Sequence, residues 1–182
     1  MKSVTNPFPS FKLKAVVGTD VNNAFETVTG DSYKGMWKIY FFWPKDFTFV
    51  CPTEIKAFDD LHDAFLDRDT VLLGGSTDSE FVHLAWRQHK DELRDLRFPM
   101  LSDIKGDLAR KLGILDEEEG VMQRATFIVD PDGIIRFTMV TDLNVGRNPN
   151  EVLRVLDALQ TDELCPCNWQ PGDDVIKVGE PA

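Results

Sequence analysis

Cys51, in the stretch WPKDFTFVCPTEIKAF (Trp43 to Phe58), stands between an apolar run and a segment of helical spacing. Three roles are open to a thiol there: a small hydrophobe in the core, a soft metal ligand, or a nucleophile held at a helix start. Pro52 suits the first helical position, and Ile55, Phe58, Leu61, His62 and Phe65 follow as one apolar stripe. A thiol at a helix start faces unpaired backbone N–H groups and the positive end of the dipole, and both favour the thiolate. Rate beyond deprotonation has to come from donors aimed at the transition state. Thr48, three residues before the cysteine, is a candidate hydroxyl; Arg124, just ahead of ATFIVD, and Arg147, in VGRNPNEV, are candidate cations. Each has a plainer alternative: a strand-end hydroxyl bonded to backbone, or a surface arginine paired within an acidic chain.

The elements that must position these groups follow from periodicity. WKIYFFW (37–43), ended by Pro44, reads as a strand buried on both faces, and TVLLGGST (70–77) as a second. Strand, helix, strand is a βαβ unit, with a parallel pair and a right-handed crossover. Ser79 to Leu93 reads as one helix capped by Ser79, with Phe81, Leu84, Ala85 and the Trp and Leu positions turned inward. FPML is a short strand and IKGDLARKLGI a short helix. ATFIVD and IIRFTMV flank Asp130-Pro131-Asp132-Gly133, a hairpin turn in which glycine supplies the positive φ. Asn150 to Leu159 is an amphipathic helix with Val152, Val155, Leu156 and Leu159 on one face. The opening NPFPSFKL, with two prolines, reads as an extended or turning lead-in. This order points to a thioredoxin-like α/β fold over residues 1–160, a mixed sheet with helices on both faces, followed by a tail, 161–182, that carries two cysteines and Trp169. In that layout the site sits where the first strand of the unit hands over to its helix, the position of Cys51.

Bulk composition narrows the functions further. A chain of 182 residues suffices for one domain with a real core, and a net charge of −11 without a Lys/Arg cluster argues against a phosphate-binding, nucleic-acid surface. No signal-peptide core and no run of 18 apolar residues is found, so the expectation is a cytoplasmic protein without a membrane span. In that compartment three cysteines read as thiols rather than a disulfide scaffold, and their odd number forbids full intrachain pairing. Metal is the rival use of Cys165-Pro-Cys167, but the spacing is short for zinc, and His62, His83 and His89 lie at no ligand spacing. No metal or cofactor is expected. A thioredoxin-type exchange site needs a second thiol where Glu54 stands.

Pro44, Thr48 and Cys51 fit the pattern P-x-x-x-T-x-x-C of the peroxiredoxins. DFTFVCPTE, RATFIVD, VGRNPNEVLRVLDALQ and LCPCNWQPGD resemble, in order, the typical two-cysteine subgroup, over nearly the whole chain. The resemblance implies a thiol peroxidase acting on hydrogen peroxide and organic hydroperoxides. Cys51 would attack the O–O bond and become a sulfenic acid, with Thr48 and Arg124 orienting the peroxide and Pro44 shielding the site. Glu54 and Arg147 would hold Arg124. Cys165 would be the resolving cysteine, closing a disulfide with Cys51 of another subunit, which a dithiol reductant then opens. That reductant would be a flavoprotein disulfide reductase, a thioredoxin or a lipoyl-linked thiol reductase, and the assembly a homodimer building to a decamer. Cys167 departs from the commoner pattern. Residues two apart in an extended segment point to one side, so it either substitutes for Cys165 or stands by. GILDEEEG (113–120) lacks the Gly-Gly-Leu-Gly insert, and VIKVGEPA the Tyr-Phe ending, of overoxidation-sensitive members, which implies resistance to sulfinic acid formation. An oligomeric holdase chaperone is the alternative function.

Overall fold

The computed structural model describes residues 1–178; residues 179–182, on which the end of the VIKVGEPA terminus falls, lie outside the described residues. The chain opens with two strands absent from the periodicity reading, β1 (Lys12–Val16) and β2 (Phe25–Thr29), paired antiparallel. They are five residues each and lie toward one margin of the sheet; Lys12-Leu13-Lys14-Ala15 alternates over too short a span to stand out, and Glu26 and Thr27 fall together in β2. Ahead of them, Phe8 stacks on Tyr40 with ring centroids 4.1 Å apart, which ties the lead-in to the sheet.

The βαβ unit then forms: β3 (Trp37–Phe42), α1 (Cys51–Asp60), α2 (His62–Leu66) and β4 (Thr70–Ser76), with β3 and β4 parallel. The expected single stripe is carried by two helices, because the chain leaves helical geometry at Leu61 (ψ 7°). α3 (Glu80–His89), α4 (Asp91–Arg94) and β5 (Met100–Ser102) follow, and β5 lies parallel to β4. Next come α5 (Asp107–Leu112), the two-residue strands β6 (Leu115–Asp116) and β7 (Val121–Met122), the hairpin β8 (Arg124–Val129) and β9 (Ile135–Thr141), and α6 (Pro149–Gln160). Gly133 takes φ +83° in the hairpin turn, and Asp130 Oδ1 accepts the N–H groups of Asp132 and Ile134. The main sheet has seven strands in the order β2-β1-β5-β4-β3-β8-β9. It is the mixed sheet of a thioredoxin-like α/β fold.

Alternation along β3 divides the interior. Ile39, Phe41 and Trp43 pack on one face with Ile55, Phe58, Phe65, Trp86 and Leu156; Tyr40 and Phe42 pack on the other with Leu73, Leu112 and Phe127. Gly74 on β4 makes room for Trp43: a Cβ there would come within 2.7 Å of the indole.

The helix expected over Ser79–Leu93 is two helices, broken at Lys90, where the backbone is extended. Ser79 does cap it, accepting the Val82 N–H at 3.3 Å. Its inward face, however, is His83, Leu84, Trp86 and Arg87, while Phe81 and Ala85 face outward. The reason is polar: His83 and Arg87 find acceptors inside, Arg87 donating to the carbonyls of Val16, Arg94 and Leu96. A buried polar group with partners can displace an apolar one from the core face, and hydropathy does not register this.

Candidate active site

Cys51 is the first residue of α1, with Pro52 behind it, and it is fully buried. Val50 caps the helix through its carbonyl, which accepts the N–H groups of Thr53 (3.1 Å) and Glu54 (3.4 Å). Those two amides are therefore taken, and the donors seen at the sulfur are side chains. Thr48 Oγ1 lies 2.9 Å from Cys51 Sγ and 3.0 Å from the Lys45 carbonyl. A hydroxyl has one proton, so it donates to sulfur or to the carbonyl, not fully to both. A sulfur anion takes that proton; a protonated thiol can donate to the oxygen and release the hydroxyl to Lys45.

The second donor is Arg124, at the start of β8, whose Nη1 stands 3.3 Å from the sulfur. Its other bonds fix it: Nε donates to the Leu143 carbonyl at 2.7 Å, and Nη1 to Glu54 Oε2 at 2.6 Å. Glu54, one helical turn after Cys51, also accepts the backbone N–H of Arg147 (2.8 Å), its Nε (2.7 Å) and its Nη2 (3.1 Å). Arg147 Nη1 reaches the Ala125 carbonyl at 2.8 Å, and its guanidinium lies over the rings of Phe41 and Phe58. Burial alone would push the Glu54 carboxyl up, but the bonds and charge of Arg147, with the charge of Arg124, hold it below its usual range. One carboxylate and two guanidiniums, all buried, sum to +1. A thiolate at Cys51 brings that cluster to neutrality, the condition under which buried charge is least costly.

Pro44 is buried at the end of β3, and Thr48 is half-buried. Thus Thr48, Cys51, Glu54, Arg124 and Arg147 form one bonded cluster, with Pro44 in the turn that leads to it. Cys165 and Cys167 belong to a different region, beyond α6, and all three cysteines are free. Cys165 Sγ rests on the end of α6, 3.7 Å from the Ala158 carbonyl and 3.5 Å from Thr161 Oγ1, while Cys167 is exposed. The turn that carries them is tied back by Arg154 Nη1, which donates to the Trp169 carbonyl at 2.9 Å, and by the pairing of Leu164 with Ile176.

Two residues the sequence did not mark tie the Pro44–Thr48 turn to α3. Asp46 and His83 are bonded at 2.6 Å, with both side chains fully buried. They are 37 positions apart, and the only sequence sign was a histidine amid apolar residues of a helix. Among the described residues, no cluster of three or more His, Cys, Asp or Glu side chains is placed to hold a metal ion, and no helix is long and apolar enough to cross a membrane.

Comparison with known proteins gives the family. The profile of the AhpC/TSA family matches residues 4–138, and that of the C-terminal domain of 1-Cys peroxiredoxin matches residues 159–180. The chain is 51% identical to alkyl hydroperoxide reductase C of Mycobacterium tuberculosis, over 98% of its own length and 95% of that protein. It is 52% identical to the protein of that name from Mycolicibacterium smegmatis, with the same coverage. Among solved structures, Mycobacterium tuberculosis AhpC superposes with a TM-score of 0.85 at 50% identity, covering 93% of this chain and 99% of that one. The reduced 2-Cys peroxiredoxin of Plasmodium vivax gives 0.90 at 36% identity, covering 97% and 94%. By its profile match, its relatives and its fold, the chain belongs to the AhpC/TSA family of peroxiredoxins.

Proposed function

We propose that Cys51 is the sulfur through which this peroxiredoxin reduces peroxides. The observation that carries this reading is the bracketing of its buried sulfur by the Thr48 hydroxyl and the Arg124 guanidinium. The Cys51 thiolate attacks one oxygen of ROOH; an S–O bond forms, the O–O bond breaks, and the departing RO⁻ takes a proton to leave as ROH. Thr48 can turn its proton from the sulfur to the bound peroxide, and Arg124, already fixed by Leu143 and Glu54, faces the charge that develops on the leaving oxygen, a preorganised donor. Glu54 and Arg147 hold Arg124 in place, and Pro44 keeps water from the sulfur.

The sulfenic acid then condenses with the thiol of Cys165 from a second copy, forming the disulfide and releasing water. Residues 1–160 act as the catalytic domain and 161–182 as the tail that delivers the second sulfur. Cys167, exposed and two positions on, can exchange with Cys165. A dithiol reductant reopens the bond; of a flavoprotein disulfide reductase, a thioredoxin and a lipoyl-linked thiol reductase, the paired tail thiols favour the last. The working assembly is a dimer that builds to a decamer, in the cytoplasm. The names of the relatives favour peroxide reduction over the holdase alternative.

Peroxide consumption in the presence of a dithiol reductant tests the assignment. The parent protein should turn over, and Cys51→Ser should not. Full activity in Cys51→Ser would overturn it.

A further inference from the structure

The turn between β3 and α1 must present Thr48 to Cys51, yet its backbone is not at rest: Phe47 takes φ +56°, in the left-handed region. A bulky residue keeps that conformation only when its surroundings over-determine it. α3 supplies those surroundings at two points. The Phe47 ring lies over Trp86 and His89, with centroids 5.8 and 6.2 Å away. One residue earlier, Asp46 is bonded on every side. Its Oδ1 accepts the Trp43 indole N–H at 2.7 Å, its Oδ2 meets His83 Nδ1 at 2.6 Å, and its backbone N–H donates to Asp78 Oδ2 at 2.9 Å.

Resting on the peroxidase reading above, we infer that Asp46 and His83 form the positioning pair of the site, clamping the turn to α3 so that Thr48 stays aimed at the Cys51 sulfur. Neither residue touches the sulfur; the pair acts through Thr48.

The hydrogen-bond pattern says how the clamp is charged. His83 Nε2 faces the Leu101 carbonyl at 3.1 Å, so that nitrogen must carry a proton. A second proton then lies between Nδ1 and the carboxylate, as imidazolium with carboxylate or imidazole with acid. In either form the pair is neutral overall and holds one removable proton. Such a proton belongs to the pair rather than to one residue. Burial pushes Asp46 up; for His83, burial pulls down, but its bond to Asp46, the charge of Asp46 and the Leu101 carbonyl hold it above its ordinary value. Both directions say that the proton leaves late. The other charge facing the pair is Asp78, from the turn between β4 and α3, and it adds to the retention. Trp43, just after β3, and Leu101 from β5 offer no titratable group. A folded value above the ordinary 6.5 means that the contribution is complete below 6.5 and is lost as pH rises through the folded value. Loss of the proton leaves a buried net negative charge and frees the turn.

Two variants separate the clamp from general damage. In Asp46→Asn the side-chain oxygen can still accept from Trp43, and the amide can donate to Nδ1 of neutral His83 while Nε2 keeps Leu101. The bonds persist, but no shared proton remains to be lost. His83→Leu removes the bond altogether. The readouts are the second-order rate constant of Cys51 with hydrogen peroxide across neutral to alkaline pH and, in parallel, its alkylation by iodoacetamide, which needs a thiolate but not Thr48. His83→Leu should slow the peroxide reaction by about 10-fold or more relative to alkylation, as a small misplacement does. Asp46→Asn should keep a neutral rate close to that of the parent and lack the alkaline decline expected of the parent. Superimposed pH profiles for the parent and Asp46→Asn, or an unchanged peroxide-to-alkylation ratio in His83→Leu, would overturn the inference. A parent protein that does not react with peroxide would overturn the peroxidase reading and the clamp with it.

Discussion

Two regions of this molecule carry thiols, and they are built in opposite ways. Around Cys51 the polar side chains are joined into one network: Glu54 alone ties Arg124 and Arg147 into a buried cluster. Around Cys165 and Cys167 the chain is held by a buried Trp169, by Arg154 to the Trp169 carbonyl and by the Leu164–Ile176 pairing, with Cys167 itself exposed. Leu164 and Ile176 are themselves about half exposed, at 55% and 52%. The contrast suits a division of labour. A sulfur that must meet a transition state benefits from fixed donors, whereas a sulfur that must travel to a partner is better held by contacts that cost little to break.

The comparison breaks most sharply at Glu54. Glu54→Ala leaves two buried guanidiniums without their carboxylate, and unfolding in urea should show a loss of about 3–5 kcal/mol, with peroxide reactivity falling alongside. At Arg124 the effect should be mainly kinetic. Arg124→Lys keeps the charge but cannot donate to Leu143, Glu54 and the sulfur from one planar fork, so stopped-flow rates with peroxide should drop by about 10²-fold.

Acid should separate the two regions next. The folded Glu54 carboxyl lies below its ordinary value of 4.5, so its contribution to stability is complete above 4.5 and is lost as pH falls through the lower folded value. Cys51 alkylation measured down that range, after a jump back to a common assay pH, should report opening of the site at acid pH, while Cys165 alkylation should change little. The smallest effect belongs to the tail. Arg154→Ala removes one bond to Trp169 and should cost about 1 kcal/mol or less overall, yet it should raise the alkylation rate of Cys165 several-fold.

The same contrast explains what could be read before the structure. Thr48 and Cys51 are three residues apart at a helix start, so local chemistry brings them together. Arg124 and Arg147 are nameable as cations, but the carboxylate that binds both, Glu54, shows from spacing only as the residue standing where an exchange motif has its second thiol, and only the peroxiredoxin resemblance ties it to Arg124. β3, β4, β8, β9 and α6 announce themselves through segments rich in apolar and β-branched residues or through a clear stripe. β1 and β2 are harder to read, because each has only five residues: the Lys12–Ala15 alternation is too short to set a strand apart from an extended lead-in, and Glu26 and Thr27 fall together in β2. Phe81 and Ala85 looked inward by spacing, but His83 and Arg87 took that face with partners from distant elements, Asp46 and the carbonyls of Val16 and Leu96. Pairings of that kind leave no periodic trace in a sequence.

The division of labour between the two regions is tested most directly by peroxide treatment of the reduced protein, followed by non-reducing electrophoresis and mass spectrometry of the linked peptides. A disulfide-bonded dimer joining the Cys51 and Cys165 peptides should form in the parent protein and be absent in Cys51→Ser. A dimer that persists undiminished in Cys51→Ser, or a parent protein that forms none, would contradict it.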